Sequence, residues 1–135
     1  MIVVDASVAI DLVLGAGSPA GDTLATHLAD GTVVTAPHLI DAEVGQSIRR
    51  FAMQGDVSDA EARTLIIDYL DLPIKRYPHL RLLDRAFEFR FNLTVYDGLY
   101  LALAEALQSP LLTGDAAFRA VPGSSATVEV RPTSA

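Results

Sequence analysis

Four carboxylates stand where a folded chain can bring them together. Asp5 ends a short apolar run, Glu43 lies in an amphipathic stretch, Asp97 precedes a strongly apolar segment, and Asp115 follows another. Singly, each has an ordinary use. Asp97 and Asp115 sit where helices begin, and an aspartate there accepts hydrogen bonds from the free N–H groups of a first turn. Asp5 can bond a neighbouring loop, and Glu43 can be a surface acid. Together they suggest something else, because acids crowded at one edge of a sheet repel one another unless cations neutralise them. Hard oxygen ligands in a chain without cysteine point to Mg2+ or Mn2+ rather than zinc. Ser7 and Thr113 lie beside this set as hydroxyls able to orient carboxylates or water, and Ser7 reads equally well as a helix cap.

These residues meet only if the elements bearing them form a parallel sheet. Residues 2–5 (IVVD) are a β-branched run suited to a buried parallel strand. SVAIDLVLG then reads as a helix stopped by Gly15, residues 15–21 as a turn, and residues 19–30 as a helix. TVVTA, residues 32–36, is a second strand, and Pro37 opens a helix reaching about residue 54. Residues 58–71 form another, with Ser58 and Glu61 at capping-box spacing. PIKRY is a short strand, residues 78–91 a helix, residues 96–108 an apolar helix, PLLTG a strand, residues 116–120 a short helix and residues 127–131 a last strand. The tail PTSA is expected to be mobile. Strands alternating with helices imply a parallel sheet covered on both faces, here as one domain over residues 1–135.

Ligands in such sheets collect outside the carboxyl ends of strands, where strand order reverses. If the chain winds outward from the first strand and returns to add PLLTG on its other side, Asp5 and Asp115 share one crevice. Asp97 starts the helix feeding that strand. On the wheel of the third helix, Ile40, Val44, Ser47, Ile48 and Phe51 form the apolar stripe. Glu43 borders it, Asp41 falls on the other flank, and Arg50 shares the face of Glu43.

The composition narrows the function. Half the residues are hydrophobic and mean hydropathy is +0.33, which excludes disorder. Charges such as Asp5, Asp11 and Glu105 interrupt every apolar run, so no membrane span is expected. MIVVDASVAI lacks the basic start of a signal peptide, and a cytoplasmic location is the simplest. A net charge of −7 argues against a nucleic-acid coat protein, but not against an enzyme whose acids surround metal ions. Nine of the ten basic residues are arginine. Arg49, Arg50, Arg81 and Arg85 are candidates for a phosphate-gripping rim, and solvated helix faces are the plainer reading of such runs.

The motifs VVDASVAIDL, AEVGQSIRRF, TVYDGLYLALAEAL and PLLTGDAAF, in this order and spacing, resemble the PIN-domain ribonucleases, in particular the toxins of VapBC-type toxin–antitoxin pairs. That resemblance implies a three-layer α/β/α sandwich on a mainly parallel sheet. It implies a metal-dependent endoribonuclease in which Asp5, Glu43, Asp97 and Asp115 are the catalytic, metal-binding acids, Glu43 directly or through water, with Ser7 and Thr113 as accessory hydroxyls. It further implies RNA cleaved by metal-activated water, a VapB-like cognate antitoxin whose C-terminal segment wraps the toxin, and a homodimer. Two departures stand out. Ala117 occupies a place where some relatives carry another acid, and Gly98 is expected to loosen the turn that aims Asp97.

Two rivals belong to other classes. A haloacid dehalogenase-type phosphatase also starts with a strand ending in Asp, but needs a second Asp where this chain has Ser7, and a lysine near the last acids where Lys75 is the only lysine. A non-catalytic PIN-fold binding domain would have no use for clustered carboxylates.

Overall fold

The computed structural model describes residues 1–15 and 17–134. Five strands form one sheet in the order β3-β2-β1-β4-β5, and all four pairings are parallel. The strands are β1 (Ile2–Val4), β2 (Val34–Pro37), β3 (Ile74–Tyr77), β4 (Leu111–Thr113) and β5 (Val128–Val130). The central β1, β2 and β4 are buried on both faces, as their unbroken apolar runs require. The helices are α1 (Ala6–Leu14), α2 (Pro19–Ala29), α3 (Leu39–Met53), α4 (Asp59–Leu70), α5 (Leu83–Glu88) and α6 (Val95–Leu107). One layer is α1 to α4, which pack on one another; the other is α5 and α6, with α6 laid across β1, β2 and β4. This is an α/β/α sandwich. The chain steps from β1 outward through β2 to β3, then returns to place β4 on the other side of β1, so strand order reverses between β1 and β4.

Local chemistry moves several boundaries. The N–H of Thr32 bonds back to the carbonyl of His27 (2.9 Å) and closes α2, so β2 starts at Val34 and runs through Pro37, with α3 beginning only at Leu39. The cap of α1 is Asp5, whose side chain accepts from the Val8 N–H, not Ser7. Gly15 ends α1 with φ +64°, a left-handed conformation that costs glycine little. The turn expected over residues 15–21 includes Ala16, outside the described residues; Ser18 caps α2 by accepting from the Gly21 N–H. The capping box of Ser58 and Glu61 is formed.

Residues 78–91 are not one helix. A 3₁₀ turn (Leu80–Leu82) leads into the six-residue α5, and tight turns follow, with Arg90 N–H to Phe87 O (3.1 Å) and Asn92 N–H to Phe89 O (3.0 Å). Leu80, Leu83, Phe87 and Phe91 are exposed while Ala86 and Phe89 are buried, so no single stripe holds a long helix here. Gly98 is also more than a loosened turn. A Cβ there would lie 2.7 Å from the Ala86 carbonyl oxygen, so its absence lets α5 seat directly on α6. The tail is ordered where it is described: Ser134 hydrogen-bonds to Asp11 on α1, and Ala135 lies outside the described residues. No helix among the described residues is long and apolar enough to cross a membrane.

Candidate active site

The reversal between β1 and β4 opens a cleft of about 490 Å3 above their carboxyl ends. Asp5, immediately after β1, forms its floor and is only 7% exposed. Its Oδ1 accepts from the Ser7 hydroxyl (2.7 Å) and the Val8 N–H (3.3 Å). Its Oδ2 accepts from the Thr113 hydroxyl at the end of β4. Thr113 Oγ1 in turn accepts from the Asp115 N–H (3.0 Å). One hydrogen-bonded path thus joins the ends of both strands. Burial raises the Asp5 carboxyl above its usual range, its hydrogen bonds from Ser7, Thr113 and Val8 pull it back, and the charge of Asp115 adds to the rise.

Glu43 enters from α3. Leu39, Ala42, Glu43, Gln46, Ser47 and Arg50 line the cleft at helical spacing, while Ile40, Val44 and Ile48 of the same helix are buried in the core. The Tyr100 hydroxyl, from α6, donates to Glu43 Oε1 (2.6 Å). Burial raises the Glu43 carboxyl, Tyr100 lowers it, and Asp5 raises it further. Tyr100 itself is held protonated by burial and by Glu43.

Asp97 lines the cleft one turn before Tyr100, and it is not the cap of α6. Thr94 has that role, accepting from the Asp97 N–H (3.1 Å). The Asp97 carboxyl is pushed up to about 6 by burial first, then by the charges of Glu43, Asp5 and Asp115. The four acids therefore act on one another across one cleft. Asp115 combines both uses: its Oδ1 accepts from the Ala117 N–H (2.9 Å) and its side chain lines the cleft.

The predicted arginines divide. Arg50 lines the cleft and donates to Ser47 (3.1 Å). Arg49 and Arg81 are exposed and stand outside the lining. Arg85, also expected at the phosphate rim, does not line the cleft. Its guanidinium is committed to Glu105 (2.8 and 3.0 Å), Glu88 (2.7 Å) and the Gly123 carbonyl (2.8 Å), away from the cleft. Asp41, on the other flank of α3, pairs with Arg76 (2.9 Å) and accepts from Tyr69 (2.7 Å).

Sequence reasoning missed Tyr100, Gln46 and Tyr96 as lining residues. Helical spacing was the available signal, since Tyr100 is three places after Asp97 and Gln46 three after Glu43.

Carboxylates and hydroxyls with no cysteine suit a hard divalent cation, and the rise of three carboxyls is what a cation would relieve. Among the described residues no three acids or histidines stand close enough to hold an ion by themselves. The donor set fits an ion that keeps several waters, as Mg2+ does.

Fold and cleft together define an α/β/α domain with an acidic cleft at its switch point, and comparison with known proteins identifies its family. The PIN domain family matches residues 2–124, and the chain belongs to that family. Ribonuclease VapC1 of Mycobacterium tuberculosis is 42% identical over 122 residues, covering 90% of each chain. Ribonuclease VapC12 of the same species is 39% identical over 130 residues, covering 96% of this chain and 98% of the relative. Two solved structures share the fold. VapBC2 from Rickettsia felis, bound to a promoter DNA fragment, superposes with TM-score 0.71 at 13% identity over 97% of this chain and 99% of that one. VapC20 of M. tuberculosis, a sarcin-ricin loop cleaving toxin, gives 0.69 at 21% identity over 98% and 100%.

Proposed function

We propose that this protein is a Mg2+- or Mn2+-dependent endoribonuclease and the toxin of a toxin–antitoxin pair, working in the bacterial cytoplasm. The carrying observation is the cleft where Asp5, Glu43, Asp97 and Asp115 converge at the reversal of strand order, in a chain whose relatives are named ribonucleases. Asp5, Asp97 and Asp115 would hold the ion in part through its waters, and Glu43 would complete its shell through water or accept the proton released in attack. When bound, the ion supplies Lewis-acid chemistry, acidifying water and neutralising charge on the phosphoryl oxygens. Ser7 and Thr113 fix the direction of the Asp5 carboxylate. Tyr100 fixes Glu43. Arg50 offers a cation to a phosphate at the rim.

The acidic floor and apolar walls (Leu39, Ala42, Phe118) suit an antitoxin segment carrying Arg or Lys between apolar residues. Exposed Met53, Phe87 and Phe91 are candidates for a homodimer face. The phosphatase reading has little support: the Lys75 ammonium stands over the Tyr77 ring at 5.1 Å and does not line the cleft.

Water as nucleophile leaves 5′-phosphate and 3′-hydroxyl ends. The test incubates the purified protein and Asp5→Asn with RNA, with and without Mg2+, and maps the ends. Cleavage is expected from the parent with metal only, and 2′,3′-cyclic phosphate ends would overturn the mechanism. A folded protein that neither cuts RNA nor binds Mn2+ in calorimetry would be the non-catalytic domain instead.

A further inference from the structure

Residues 131–134, past the last strand, are tied to three elements. The Arg131 N–H donates to the Thr113 carbonyl at the end of β4 (2.9 Å), and the Pro132 carbonyl accepts from the Ala20 N–H of α2 (3.0 Å). Ser134 donates through its N–H to Asp11 Oδ2 (2.9 Å) and through its hydroxyl to Asp11 Oδ1 (2.7 Å). Asp11 is 3% exposed. A carboxylate buried so deeply is costly unless hydrogen bonds satisfy it, and the tail supplies one to each oxygen. Asp11 belongs to α1, the helix that Asp5 caps and that carries Ser7.

Between these anchors lies Thr133. A Cβ built on Gly114 would stand 2.5 Å from Thr133 Cγ2, 3.4 Å from its Oγ1 and 3.5 Å from Ser7 Oγ. Thr133, Gly114 and Ser7 therefore share one small space. Gly114 lies between Thr113, which donates to Asp5, and Asp115. A side chain here presses on the turn that aims two of the four acids and on the hydroxyl that aims the first.

We infer that residues 132–134 are a strap that positions the cleavage site, with Thr133 and Asp11 as positioning residues. Thr133 holds the 113–115 turn and Ser7 in register, and Asp11 anchors Thr133 by fixing Ser134. This rests on the ribonuclease reading above. The strap touches no reacting atom. It narrows the orientations of Asp5 and Asp115, and so acts on turnover rather than on RNA affinity.

A steric swap tests it. Gly114→Ala places a methyl group in the space that Thr133 fills, and β-branched threonine has few rotamers with which to yield. Thr133, or the strap that carries it, must shift. A misplacement of about an ångström can cost up to about a hundred-fold in rate, so kcat is expected to fall about ten-fold or more, with KM for RNA changed by less than about two-fold. Adding Thr133→Ala reopens the space, and the double variant should recover to within about three-fold of the parent. Asp11→Asn, which removes one acceptor from Ser134, should lower kcat in the same direction. Ser58→Ala, at a cap on α4, is the control: it lowers the melting temperature and leaves kcat alone.

Hydrogen exchange at the Asp115 amide is read in every variant without RNA, and protection should fall in Gly114→Ala and Asp11→Asn and return in the double variant. An unchanged kcat in Gly114→Ala, or a double variant no better than the single one, overturns the inference. If the parent itself cuts no RNA, the ribonuclease reading fails, and the exchange data alone still decide whether the strap holds the turn.

Discussion

At Asp97 the two uses of an aspartate near a helix start come apart. Thr94 already satisfies the first turn of α6, so the Asp97 carboxylate faces the other acids. Its carboxyl lies at about 6 against an ordinary 3.8, with burial the main cause. A folded state that binds a proton more tightly than the unfolded chain is most stable below the unfolded value and loses stability as pH climbs through the folded one. The metal-free protein should therefore melt at falling temperatures as pH rises from about 4 to about 6, with Asp5 and Glu43, also raised, adding to the trend. Asp97→Asn should flatten that dependence and melt at the parent temperature or above it near pH 7. With saturating Mn2+ the order should reverse, because the parent gains RT ln(1 + [L]/Kd) and the variant gains less. RNA cleavage by the variant should drop by orders of magnitude. Near-parental cleavage would make Asp97 dispensable to the site. The acids were legible in the sequence because charge at a strand end or helix start is conspicuous. Thr94 was not, because an aspartate three places on looked like the cap.

Tyr100 joins two elements that the sequence shows only as separate amphipathic patterns. From α6 it reaches Glu43 on α3, and helices of opposite layers meet over the cleft through one hydrogen bond of 2.6 Å. Tyr100→Phe leaves the buried ring in place and removes the donor. A hydrogen bond to a charged group contributes about 1.5–3 kcal/mol, so cleavage should fall about ten-fold or more while the fold persists. Without that donor the Glu43 carboxyl should rise further, and the acidic limb of the cleavage pH profile should move upward. A profile superposing on the parent's would mean that Tyr100 only fills space. Alternation of strands and helices was readable because each period is set by its own side chains. The boundaries that moved were set elsewhere: β2 by the closure of α2 at Thr32, the break at α5 by its docking on Gly98 of α6. The tail PTSA has no large apolar side chain beyond its proline to announce a docking site. What holds Ser134 is Asp11, distant in sequence.

Across the whole molecule, a net charge of −7 repels the substrate that the cleft is proposed to cut. Attraction must come from a local cation. Among the described residues, Arg50 is the one basic side chain lining the cleft, two turns along α3 from Glu43. Arg85, grouped with it from the sequence, is consumed by Glu105 and Glu88. Reading sequence alone groups the two arginines, since a run of like charges says nothing of which will find internal partners. The structure separates them, and so do the expected phenotypes. Arg50→Ala should weaken RNA binding, and the slope of log K against log salt should shrink by about 0.7 for one lost phosphate contact on single-stranded RNA. Mn2+ affinity should stay near the parent value. Arg85→Ala should do the opposite. It leaves Glu105, at 11% side-chain exposure, with the hydrogen bonds from Ser125 but without its charged partner, so the melting temperature should fall while the RNA affinity and its salt slope stay unchanged. Filter binding across a salt series beside thermal melts reads all of these quantities. A salt slope altered by Arg85→Ala and not by Arg50→Ala would move the substrate path from the mouth of the cleft to the α5 side of the molecule.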